Sequence, residues 1–244
     1  MTHVREHRSL LANAEKRLLV WMAARLPSFI SSDHLTAAAL VAMLGAGVAF
    51  ALIARSPVFA LAVVAFLVVN WCGDSLDGTV ARVRNQQRPR YGYYVDHVVD
   101  LIGSAAVVGG MAASGIMTPG LALALLAAYF MVAAESFLST YSLGVFRVSF
   151  AGVGPTELRI VLAIGAAKVA ITPWVEIAGH RLLLFDAGGA LACAGLAVTF
   201  LVSAVRNGAR LYATEPLPIL RPRRESARQD DRVAAGDALW SAGS

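Results

Sequence analysis

Four aspartates fall within one stretch of 27 residues: Asp74-Ser75-Leu76-Asp77-Gly78-Thr79-Val80-Ala81-Arg82, nine intervening residues, then Gly92-Tyr93-Tyr94-Val95-Asp96-His97-Val98-Val99-Asp100. Asp74 and Asp77 are spaced i, i+3 and Asp96 and Asp100 i, i+4, so on helices each pair shares a face. Oxygen ligands with no thiolate and little histidine beside them suit Mg²⁺ or Mn²⁺ rather than zinc. Mg²⁺ is commonly completed by substrate phosphates, and two adjacent ions stabilise the attacking and leaving oxygens of an in-line phosphoryl displacement. The spacing therefore points to chemistry on a phosphate ester. Gly78, one turn from Asp74, lets a ligand approach the backbone. Ala81 extends that small surface, Arg82 offers a planar fork of donors to a phosphate oxygen, and Gly92 allows close contact ahead of the second acidic pair.

The elements that must position these residues are apolar. The chain has 244 residues, 57% hydrophobic and 15% charged, with a mean hydropathy of +0.63, against roughly 25% charged in an average soluble domain. A solvated globular enzyme is excluded. Residues 35–54 form an uncharged run, and 57–73 form a second that ends at Asp74. Residues 101–134 carry no charge, too many for one crossing, and Pro119 within 115–120 divides them into helices of about 93–114 and 119–143. Residues 160–177, carrying Lys168, predict a fifth crossing, and 182–205, interrupted by Asp186, a sixth. The expected fold is all-α and integral to the membrane. It has six transmembrane helices over 35–213, a cytoplasmic segment 1–34 with an interfacial amphipathic helix in 10–26, and a disordered cytoplasmic tail 214–244.

Basic residues set the orientation, because those flanking spans are retained in the cytoplasm. Of the 21 lysines and arginines, all but Arg55, Arg181 and Lys168 fall on one side in this topology, so both termini and the Arg82–Arg90 loop are expected there. The same loop predicts that the second and third helices are antiparallel neighbours, with four carboxylates gathered at their cytoplasmic ends. No secretory signal peptide is expected, since residues 1–34 hold no compact apolar run ending in a cleavage site. Cys72 and Cys193 lie in apolar runs and supply neither a disulfide framework nor a thiolate cluster.

The run Asp74-x-x-Asp77-Gly78-x-x-Ala81-Arg82-x9-Gly92-x-x-x-Asp96-x-x-x-Asp100 resembles the signature of the CDP-alcohol phosphotransferases, also called CDP-alcohol phosphatidyltransferases. The six-span pattern and the N-terminal segment are similar too. The resemblance implies a membrane enzyme in which Asp74, Asp77, Asp96 and Asp100 hold a pair of Mg²⁺ or Mn²⁺ ions. It implies that Asp74, Asp77, Gly78, Ala81, Arg82 and Gly92 line the cytidine diphosphate. Asp100 would be the general base that takes the proton of the acceptor alcohol. With no soluble donor-binding domain in the chain, CDP-diacylglycerol is the expected donor and a small polar alcohol or its phosphate the acceptor. The implied product is a phospholipid, with CMP released at the cytoplasmic face of a plasma membrane of the bacterial inner-membrane type.

Arg147, Arg159, Arg206 and Arg210 lie near span ends on the same side and are candidate contacts for the acceptor, against a simpler role in snorkelling to headgroups. Glycines, Pro155 and Glu157 around Arg159 also read as an ordinary helix start. Asn70 is expected to bond a neighbouring helix, and His97 to pack rather than ligate. Glu135 and Lys168 are expected to pair inside the bundle. Gly188 and Gly189 point to close helix packing and a homodimer contact. Membrane lipids are the surrounding partner, and nucleic acid is not.

Two other functions use buried acids. An intramembrane prenyltransferase also holds a diphosphate through aspartates and Mg²⁺, but leaves Gly78, Ala81 and Arg82 without a role and normally needs acidic motifs far apart. A cation transporter places its acids near mid-membrane on broken helices, whereas these lie at one membrane edge beside a basic loop.

Overall fold

The computed structural model describes residues 4–6, 12–147, 154–215 and 217, with side chains for 17–144, 154–215 and 217. Seven helices dominate it: α1 (Ala12–Ala23), α2 (Ser32–Leu52), α3 (Val58–Val83), α4 (Pro89–Ala113), α5 (Pro119–Leu143), α6 (Pro155–Val169) and α7 (Leu184–Thr214). Strand β1 (Val4–Glu6) pairs in parallel with β2 (Val145–Arg147), and β3 (Trp174–Ile177) pairs antiparallel with β4 (His180–Leu183). Met1–Asn207 form one compact unit and Gly208–Ser244 a second. The 218–244 part of the predicted tail lies outside the described residues.

Local chemistry sets the helix ends. Ser31 caps α2, its hydroxyl accepting the His34 N–H (3.3 Å) while His34 Nδ1 accepts the Ser31 N–H (3.2 Å). Pro89, Pro119 and Pro155 stand at the first turns of α4, α5 and α6, where a missing N–H costs nothing. Gly144 ends α5 in the left-handed region, at φ 69°. Asp186, in the first turn of α7, accepts from Thr118 N (2.7 Å) and Thr118 Oγ1 (2.6 Å). The charge that interrupts the last apolar run thus caps α5.

Among the described residues, five helices, α2, α3, α4, α5 and α7, are long and apolar enough to cross a membrane, and they carry Leu61, Leu123 and Leu191 among the most exposed side chains. An outward apolar surface of this kind is stable against hydrocarbon. The chain is a helical integral membrane protein. Helix α6, where the fifth crossing is predicted, is not among those five: it has 15 residues, about 22 Å of rise against ~30 Å of hydrocarbon. Pro173 follows, and Ala178 and Gly179, both at positive φ (50° and 80°), turn β3 into β4. Lys168 therefore sits exposed in the last turn of α6, where its charge suits the helix dipole. Glu135 accepts instead from Asn207 Nδ2 (2.7 Å).

Two apolar clusters hold the compact unit together. The larger joins Phe50, Val63, Leu67, Met111, Met117 and Ala166 with their neighbours, and Phe185 meets Phe50 edge-on at 5.8 Å. Gly189 belongs to this packing, facing the Met117 side chain within the chain. The smaller cluster seats α1 on α3 through Leu19 and Ala23 against Leu76 and Val80. Leu18, Val20 and Trp21 of α1 stay exposed, with the Arg25 guanidinium 4.0 Å over the Trp21 ring.

The predicted pairing of α3 along α4 is not the main contact. Both helices pack chiefly along α2, while α3 also meets α1 and α6, and α4 meets α5. α2 is the strut between the two acidic helices. Its start is tied down by Arg84 at the end of α3, whose guanidinium donates to the carbonyls of Leu26 (2.9 Å), Pro27 (3.0 Å), Ser28 (3.5 Å) and Ile30 (2.6 Å). Arg84→Ala is expected to cost about 2 kcal/mol, the scale of lost charge-assisted hydrogen bonds to a half-buried loop. Arg84→Lys should recover only part of it. Thermal midpoints in detergent check this, and an unchanged midpoint for Arg84→Ala would remove the role.

Candidate active site

Asp74 and Asp77 lie on α3, and Asp96 and Asp100 on α4. Although the two helices pack chiefly along α2, their acids are near enough to act on one another. Asp77 is within electrostatic reach of Asp74 and Asp96, and Asp100 is within reach of Asp74, Asp96, Asp77 and the Arg159 guanidinium. All four acids therefore share one electrostatic environment, and Asp100 is the exposed member.

Two of the carboxylates are engaged by partners far away in the chain. Arg159 in the second turn of α6 donates from Nη2 to Asp74 Oδ2 at 2.5 Å, and from Nε to Asn70 Oδ1 at 2.7 Å. Asn70 is 4% exposed and is itself fixed to α2 by donating to the Ala39 carbonyl at 3.0 Å. Asp77 accepts from Thr36 Oγ1 at 2.6 Å and from the Gly78 N–H. Asp96 lies 3.8 Å from His97 Nδ1. That nitrogen donates to the Tyr93 carbonyl at 2.7 Å, and the ring packs on Tyr93 (4.2 Å) and Phe137 (5.1 Å), as a packing residue would.

Of the residues expected beside a nucleotide, Gly78 faces the Arg82 side chain, with the nearest guanidinium nitrogen 3.3 Å from where a Cβ would stand. Arg82 Nη2 donates to Thr79 Oγ1 at 2.9 Å. Ala81 is half-buried, and a Cβ on Gly92 would meet nothing within 4 Å. The arginines divide: Arg159 is in the acidic cluster, Arg206 is exposed on α7, Arg147 lies in β2 with its side chain outside the described residues, and Arg210 belongs to the second unit.

Sequence reasoning missed Thr36 and Tyr129. Thr36 is a lone hydroxyl at the start of an apolar run. Tyr129 of α5 hydrogen-bonds Ser104, one turn beyond Asp100, and is within electrostatic reach of Asp100 and Asp96. Polar side chains inside otherwise apolar spans are the signal that flags both.

The donors of Asp74, Asp77, Asp96 and Asp100 are all oxygen, so their chemistry fits a hard divalent cation. The side chains do not close on one point. Among the described residues, no group of three or more His, Cys, Asp or Glu is arranged to hold a metal ion, and Asp74 and Asp77 are taken up by Arg159 and Thr36.

A profile of the CDP-alcohol phosphatidyltransferase family matches residues 29–205, which include every residue of the acidic stretch. Comparison with curated proteins gives no match. The match covers most of the chain and runs from the turn before α2 into α7, so it spans the same helices that gather the four acids, and on this ground the chain belongs to the CDP-alcohol phosphatidyltransferase family, membrane transferases of substituted phosphate groups.

Proposed function

We propose that this protein makes a phospholipid by transferring the phosphatidyl group of CDP-diacylglycerol to a small polar alcohol or its phosphate, releasing CMP. The observation that carries the reading is the mutual reach of Asp74, Asp77, Asp96 and Asp100 at the facing ends of α3 and α4, within a chain matched to this family over residues 29–205. Asp74, Asp77, Asp96 and Asp100 would hold the Mg²⁺ or Mn²⁺ ions on which the family generally depends. Such ions, when bound, neutralise the pyrophosphate and stabilise the oxygens of an in-line displacement.

The chain's own groups do the rest. Asp100, the exposed acid, takes the proton of the acceptor hydroxyl. The alkoxide oxygen bonds to the phosphorus that bears the diacylglycerol, the bond from that phosphorus to the bridging oxygen breaks, and CMP leaves with the electron pair. Gly78, Ala81, Arg82 and Gly92 line the nucleotide, Arg82 through its fork of donors. Arg206, exposed on α7, is available to an anionic acceptor, whereas the Arg159 guanidinium is engaged by Asp74 and Asn70. In this reading the acidic end faces the cytoplasm, since the stretch that runs from the end of α3 into α4 beside it carries Arg82, Arg84, Arg88 and Arg90. Residues 35–213 form the catalytic domain in this reading.

Full-length protein in lipid nanodiscs, given CDP-diacylglycerol, Mn²⁺ or Mg²⁺ and a panel of polar alcohols and their phosphates, is expected to release CMP, and chelation of the divalent ion should stop it. Mass spectrometry of the lipid product identifies the acceptor. Absence of CMP with every acceptor would overturn the reading.

A further inference from the structure

Arg159 is set on Asp74 more firmly than a substrate-binding arginine at an open site. Its Nη2 lies 2.5 Å from Asp74 Oδ2, its Nε 2.7 Å from Asn70 Oδ1, and the pair is only partly exposed, at 13% for Arg159 and 23% for Asp74. Asn70 is itself held by the α2 backbone, so the guanidinium is oriented from behind and its plane is locked toward the acid. A locked fork loses little freedom on forming its hydrogen bonds, which makes the contact persistent. The oxygen it occupies belongs to one of the four acids that share the site, and its positive charge also reaches Asp100.

We infer that Arg159 is a built-in competitor for the divalent cation: guanidinium and metal draw on the same Asp74 carboxylate, and Asn70 positions the guanidinium so that metal affinity is held down. Two cations using one carboxylate are linked reciprocally, so each weakens the other by the same factor. Like charges brought close repel most strongly where water is scarce. Arg159 is a positioning residue in this role, acting through Asp74, and the inference rests on the metal-dependent reading above.

The test is direct Mn²⁺ binding, followed by electron paramagnetic resonance on full-length protein in nanodiscs without substrate. Arg159→Gln is expected to lower the Mn²⁺ dissociation constant about tenfold or more, the equivalent of one charge-assisted hydrogen bond. Arg159→Lys, which keeps the charge, should stay nearer the wild type. A merely structural arginine would give the opposite sign, since its loss would loosen the site and weaken binding. The wild type supplies a second readout that needs no variant. Phenylglyoxal should modify Arg159 severalfold faster with Mn²⁺ than with chelator, with Arg55, at the other end of α3, as an exposed control of constant rate. Mn²⁺ that binds equally well or less well to Arg159→Gln, or that leaves the modification of Arg159 unchanged or slower, overturns this inference alone. Failure of Mn²⁺ to bind the wild type or either variant overturns the metal reading together with it.

Discussion

Asp100→Asn is expected to abolish CMP release while leaving the protein folded. The substitution keeps the shape of the side chain and removes its negative charge, and with it both the proton acceptor and an anionic ligand for the divalent ions. Asp100 is the exposed acid of the four and lies within reach of Asp74, Asp96 and Asp77, so neutralising it relieves repulsion and should leave stability unchanged or raised. Loss of a general base costs about a hundredfold to ten-thousandfold in rate. The measurement is turnover at saturating donor and acceptor, with circular dichroism and the thermal midpoint as controls for the fold. Turnover within tenfold of the wild type would remove Asp100 from the role of base.

The second large effect is expected far from any acid, at Gly110. A Cβ there would stand 2.0 Å from the carbonyl oxygen of Gly47, and a Cβ on Gly47 would stand 2.5 Å from that of Ala106. Both obstacles are backbone, which cannot rotate aside, so Gly110→Ala must push α4 away from α2. Overpacking of this kind costs about 3 kcal/mol. α4 carries Asp96 and Asp100, and a shift of about 1 Å at a reacting group costs on the order of a hundredfold in rate. Gly110→Ala is therefore expected to lower both the thermal midpoint and turnover. Gly109→Ala is the internal control, because a Cβ on the neighbouring residue meets nothing within 4 Å. Equal behaviour of the two variants would show that the α2–α4 contact is not what places the acids.

The lesson of Gly110 also explains where sequence reasoning about the bundle went astray. A short basic loop between two helices implies that they run antiparallel, and α3 and α4 are consecutive helices of that kind. It does not say that they pack on one another, and here both lie chiefly along α2. Gly47 and Gly110 carry the reason: small residues let α2 and α4 backbones approach, and close packing in an apolar solvent follows such contacts rather than chain order. Helix α6 shows a second limit. The apolar run over 160–177 is helical only to Val169, and Pro173 and the Ala178-Gly179 turn carry the rest of it into a hairpin, an end that hydropathy alone does not mark.

What the residues alone determined is everything local or additive: the apolar solvent, from composition; the helical class, from uncharged runs with proline-marked starts; and the pairing of acids on helix faces, from spacings of three and four. What only the tertiary structure decided is which distant groups meet. Thr36 meets Asp77 across 41 residues, and Arg159 meets Asp74 across 85. Periodicity fixes which face of a helix a side chain occupies, but the partner of that face depends on how helices cross. That crossing is set by the summed packing of α2, α3, α4 and α6, and no single stretch of the chain encodes it.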